Sequence, residues 1–146
     1  MTTTHPVTGT TVAPVAAGDA ATALQRLVQL DAGVAAASGA ALMAAAGPLS
    51  DLAGVPSTTP SRIVGAFLLL LAVDLVWLGT TSHGNRLRWV PASAAGDLAW
   101  AVASVAVAAL ADLTGPGRAL IVVQGLAVLA IGEAKLLLHR RARPRS

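Results

Sequence analysis

Residues 63–79 read IVGAFLLLLAVDLVWLG, a run of apolar side chains interrupted by one charge, Asp74. A helix needs about 20 apolar residues to cross the hydrocarbon of a bilayer, with about 17–25 tolerated. With Arg62 in front, this stretch meets that length. It also lacks the polar stripe that a water-facing helix needs. It reads as a transmembrane helix, and that reading sets the fold class.

Working outward, three more stretches have the same character. The spacing predicts spans over 24–46, 62–79, 92–113 and 118–138. In the third, only 98–111 is uninterrupted. The expected fold is all-α, a bundle of four transmembrane helices, in a membrane domain over 23–139. Residues 1–22, rich in Thr, Ala, Gly and Pro, read as a disordered cytoplasmic tail with no basic leader. Asp19 and Thr22 are the candidate caps for the first helix. Gly47-Pro48 is expected to end that helix. Residues 49–61 read as an outer loop whose first part is a short interfacial turn, 80–91 as a middle loop, and 112–117 (DLTGPG) as a tight turn. Residues 140–146 form a basic cytoplasmic tail.

Composition points the same way. The chain is 146 residues long, 55% hydrophobic and 12% charged, with mean hydropathy +0.70. A soluble domain carries about 25% charged residues. The absence of cysteine excludes disulfides, thiol redox chemistry and thiolate metal sites. His5, His83 and His139 fall in tails or a loop, which argues against a haem held between two helices. The basic residues flank apolar segments, so the high pI of about 11.1 is not a nucleic-acid signature.

Those basic residues give an orientation. Arg26, Arg86, Arg88, Lys135, Arg140, Arg141, Arg143 and Arg145 lie on one side, and Arg62 and Arg118 on the other. Eight against two places both termini and the middle loop in the cytoplasm of a multi-pass inner-membrane protein. Trp89 fits the interfacial aromatic belt.

Charges inside spans are expensive and rare, and by default they mark function. Four acids fall inside these segments: Asp31, Asp74, Asp97 and Glu133. Asp31 is five residues after Arg26, Asp74 five before Gly79, Asp97 six after Pro91 and Glu133 six before His139, so each lies roughly 8–9 Å deep at about 1.5 Å per residue. Two readings follow. The acids pair with Arg26, Arg86, Arg88, Lys135 or Arg140 and staple helices together. Alternatively they converge on a proton or a hard cation such as Mg, Ca or Mn. Ser38 shares a face with Asp31, and Ser104 with Asp97, which allows a narrow polar track. The outer half carries no long polar line, and Gln124 is out of phase with Glu133.

Asp74-Leu75-Val76-Trp77 and Asp97-Leu98-Ala99-Trp100 repeat a DLxW pattern, with acid and indole on one helix face. Trp77 and Trp100 read as packing and interfacial anchors, or, for Trp100, as the wall of a quinone or lipid pocket. Gly33-x-x-x-Ala37 and Ala35-x-x-x-Gly39 permit close helix approach and a homo-oligomer. Asp31/Ser38 and Asp97/Ser104 share a seven-residue spacing, and residues 50–54 (SDLAG) parallel 111–115 (ADLTG). Two helical hairpins of one design are therefore expected. Arg86, Arg88, Arg140, Arg141, Arg143 and Arg145 read as topology and lipid contacts.

An LxxLD opening (Leu27, Leu30, Asp31), a GPLxDLxG outer loop (Gly47 to Gly54), DLxW at Asp97 to Trp100 and a basic tail together resemble the small four-helix integral membrane proteins of high-GC bacteria. The resemblance covers about 24–140 and implies location rather than activity. Small multidrug transporters share the size, but Asp31 is displaced toward the inner end from their mid-membrane glutamate. No nucleotide loop, metalloprotease motif or serine nucleophile motif is present, which points away from an enzyme. No cofactor, metal or nucleic-acid partner is expected. The sequence favours a structural or accessory membrane component with membrane lipid, a further copy or another membrane protein as partner; the alternative is a small proton- or cation-linked transporter.

Overall fold

The computed structural model describes residues 13–143. They form four long helices and one short one: α1 (Ala13–Ala44), α2 (Ala46–Ala53), α3 (Thr59–Thr80), α4 (His83–Leu110) and α5 (Gly115–Ala142). All four long helices are long and apolar enough to cross a membrane. The fold is an all-α four-helix bundle.

The packing is uneven. α1 lies along α3, α4 lies along α5, and α1 and α5 join these two hairpins, whereas α3 and α4 barely touch. The bundle thus has a tight interior and one loose seam. The two hairpins close differently. In the first, Gly39 and Gly65 meet face to face. A Cβ on Gly65 would come within 2.9 Å of the Gly39 carbonyl oxygen, so the two backbones are in direct contact. In the second, Gly125 lies against Ser104 and Gly132 against Asp97. Of the two small-residue pairs, Ala35 and Gly39 face the bundle, while Gly33 and Ala37 face outward.

The exterior is greasy and the interior holds the charges. Leu30, Leu70 and Leu110 are 67%, 69% and 87% exposed, whereas Asp31, Arg86, Asp97 and Lys135 are buried. In water this distribution would leave most of the apolar surface wet; against lipid tails it leaves it solvated.

At the end where α2 lies, a second contact ties the hairpins. Gly54 ends α2 in the left-handed conformation, φ 75°, which glycine adopts without a Cβ clash. The Thr114 N–H then donates to the Ala53 carbonyl at 3.1 Å. The Thr114 hydroxyl donates to the Leu52 carbonyl and accepts from the Gly117 N–H at 3.1 Å, so one side chain caps α5 and bridges the two turns. These are the two turns whose sequences parallel each other.

Several boundaries differ from the sequence reading. α1 begins at Ala13 rather than Leu24, so 13–22 is helical; residues 1–12 of the expected tail lie outside the described residues. Asp19 and Thr22 are inside α1 and cap nothing, and the Thr22 hydroxyl donates back to the Gly18 carbonyl at 3.1 Å. The Ala-rich composition suits a helix without an amphipathic pattern, and Pro14 is tolerated in a first turn, where no N–H partner is required. Gly47-Pro48 does not end α1 but lies within α2, which starts before the 49–61 loop and takes in its first residues. The middle loop is also shorter than expected. α4 starts at His83 and carries Pro91 inside it, at the cost of one backbone hydrogen bond. The reason lies in Arg86. It is buried and donates to the Leu78, Gly79 and Thr81 carbonyls at 3.4, 3.1 and 2.8 Å, satisfying the end of α3 across a tight turn. At the far end α5 runs on to Ala142, so Arg140 and Arg141 are helical.

Candidate functional site

Lys135 is fully buried. An ammonium has three N–H donors and no acceptor. All three have partners here: Asp31 Oδ2 on α1, Asp97 Oδ2 on α4 at 2.8 Å, and Ser93 Oγ on α4 at 3.0 Å. Asp31 and Asp97 are themselves only 5% and 6% exposed. The lysine is therefore a three-way tie between α1, α4 and α5.

Local sequence places each group. Ser93 and Asp97 are four apart and share a face of α4. Gly132 and Lys135 are three apart on α5. A Cβ on Gly132 would come within 2.9 Å of Asp97 Cβ, so the absence of a side chain there lets α4 approach the lysine. Asp31 follows the buried Leu24 and Val28 down the same face of α1. Chemically, the triad holds one cation between two anions. Removing the cation alone would leave two carboxylates buried without a countercharge, which is the costly case.

The expected four-acid layer thus divides in two. Asp31 and Asp97 converge. Asp74 and Glu133 are exposed on the outside of the bundle and make no ion pair among the described residues. For Glu133 the cause is helical geometry: it is two residues from Lys135, about 200° around the helix. For Asp74, the inward stripe of α3 is Leu68, Ala72, Leu75 and Leu78, and Asp74 falls beside it.

The two DLxW pairs diverge likewise. Trp100 donates its indole N–H to Gln124 Oε1 at 3.2 Å and stacks on Phe67 with ring centroids 6.0 Å apart. Ser104 is buried and donates to the Trp100 carbonyl at 2.9 Å; Ser38 is half-buried on α1. Trp77 stays 56% exposed beside Asp74.

Of the residues read as lipid contacts, Arg86 turns inward to cap α3 instead, because the carbonyls of that helix end need donors. Arg88, Arg140, Arg141 and Arg143 are exposed, and Arg88 lies 5.8 Å from the Trp89 ring centroid. Arg145 lies outside the described residues. His139, read as a tail residue, is buried in the last turn of α5 with both ring nitrogens unpartnered among the described residues. No three His, Asp or Glu side chains gather as a metal site among the described residues.

Sequence reasoning counted Lys135 as a topology residue and as one of several pairing partners, and it passed over Ser93 and Phe67. A usable signal was present. Lys135 is the only lysine of the chain and lies inside the predicted fourth span, three residues after Gly132. No protein-family model, curated protein or solved structure matches this chain.

Proposed function

We propose that this protein is a structural or accessory component of the bacterial inner membrane, a non-enzymatic four-span bundle with both termini in the cytoplasm. The observation that carries this reading is the saturated lysine. All three Lys135 donors are taken by protein acceptors, with the side chain fully buried. A closed network of this kind fixes which helices meet and at what register. The unpaired Glu133 on the outside of the bundle supplies a polar handle for a neighbouring chain, and Arg88, Arg140, Arg141 and Arg143 suit anionic head groups.

The second reading, a proton- or cation-linked transporter, draws on one observation. Ser93 and Asp97 also line a cleft between α3 and α4, so the triad is adjacent to the loose seam.

Thermal unfolding of the purified protein in detergent separates the two. On the structural reading, Asp31→Asn, Asp97→Asn and Lys135→Met each lower Tm, and no cation in a panel of Na, K, Mg, Ca and Mn raises it. A variant that keeps its Tm while losing cation- or proton-specific stabilisation would favour the transporter.

A further inference from the structure

The chain has three Trp, one Phe and no Tyr, and all four aromatic side chains line the seam between α3 and α4. Trp77 and Trp89 flank a cleft of about 460 Å³ near the α3–α4 turn, its wall otherwise apolar but for Asp74 and Ser93. Phe67 from α3 and Trp100 from α4 stack across the seam farther along, where they help line a second cleft that shares Leu71, Ala92 and Ser93 with the first.

Among the residues lining the cleft, Asp74 is the only charged one. It has no hydrogen-bond or ion-pair partner among the described residues. It lies six residues before the end of α3 at Thr80, about 9 Å below it at 1.5 Å per residue. An unpaired carboxylate at that depth lacks a countercharge from its own chain. Indole faces attract cations most strongly among the aromatic rings, and aromatic walls around an acid are the means by which ammonium ligands are recognised. The volume is that of a small-molecule site.

We infer that this cleft binds a free lipophilic monocation, an ammonium carried on an apolar body. Asp74 and the Trp77 and Trp89 rings hold the charge. The body lies along the seam toward Phe67. Seven residues separate Phe67 from Asp74 on α3, so the body has about 10 Å before it reaches the Phe67–Trp100 stack. Arg88 approaches the Trp89 ring but does not line the cleft. The inference is independent of the structural role assigned to the Lys135 triad and includes no transport step. The same ammonium chemistry is found on choline lipids, so the test must tell the two sources apart.

The probe is benzyltributylammonium, titrated against the tryptophan fluorescence of the full chain in phosphatidylglycerol and in phosphatidylcholine nanodiscs. The expected result is a saturable change in both lipids, at least tenfold weaker in Asp74→Asn and retained in Asp74→Glu. A neutral amide of the same size should not saturate. Asp74 is exposed, so Asp74→Asn should keep the helical circular dichroism and Tm of the parent. Equal saturation by Asp74→Asn would overturn the inference, as would saturation by the neutral amide. Saturation that vanishes only in phosphatidylcholine would overturn it in favour of a lipid head group. No saturation in either lipid would overturn it outright.

Discussion

Lys135 holds its place through donor arithmetic. Three N–H groups meet three acceptors, and neither aspartate is left without a cation. Breaking such a buried set at one member costs about 3–5 kcal/mol, whereas replacing all members by apolar groups is often neutral or stabilising. Lys135→Met alone should therefore lower Tm severely in detergent, while Lys135→Met combined with Asp31→Leu and Asp97→Leu should recover most of the loss. Calorimetry or scanning fluorimetry on the parent, the single variant and the triple variant checks this. If the triple variant is as unstable as the single one, the triad contributes more than a satisfied charge set. At this scale the sequence was partly legible. It marked Asp31 and Asp97 because charges stand out in apolar runs. It did not separate them from Asp74 and Glu133, because depth along a helix was readable and rotation about its axis was not. In segments this rich in Ala, Val and Leu, every face looks apolar.

At the scale of elements, contact between backbones replaces side-chain interdigitation. Where α1 crosses α3, Gly39 and Gly65 leave no room for even a methyl group. Gly65→Ala should push the two helices apart and destabilise the bundle by about 1–3 kcal/mol, the usual range for overpacking. Gly33→Ala, with nothing within 4 Å of the added carbon, should be nearly silent. A paired thermal-melt comparison distinguishes a specific crossing from a general intolerance of the bundle's helices to bulk. The capping Thr114 gives a second element-scale prediction. Thr114→Val removes both the cap and the bridge to Leu52, and should cost about 1–2 kcal/mol, the upper part of the range for a lost N-cap. The spans themselves were legible from apolar length, and their ends were not. The start of α1 carries no amphipathic signal. The start of α4 depends on Arg86 reaching back to carbonyls of the preceding helix, an interaction that no local reading of TTSHGNRLRWVP contains.

At the scale of the molecule, the four-helix class followed from hydropathy alone, since nothing but helices and closed barrels satisfies its backbone in lipid. The pairing of helices and the loose α3/α4 seam did not, because they depend on which small residues meet. Orientation remains a prediction from charge. The absence of cysteine makes it directly measurable. Ser57→Cys, in the outer loop, and Ser82→Cys, in the turn between α3 and α4, are both exposed. In intact cells a membrane-impermeant maleimide should label the first and spare the second; the opposite pattern would invert the topology. The basic residues on which that expectation rests do not all stay on the surface. Arg86 and Lys135 end up inside the folded bundle.

The length of α1 has a further consequence. Its 32 residues span about 48 Å at 1.5 Å per residue, against a hydrocarbon layer of about 30 Å. A helix tilted by the usual 20° or so still has surplus. With Asp31 near one boundary, most of that surplus lies on the N-terminal side, where Ala20 and Leu24 of α1 are buried, as are His139 and Ala142 at the end of α5. The excess acts as a ruler. It lifts the first turns of α1 clear of the hydrocarbon, so they meet head groups and water rather than lipid tails.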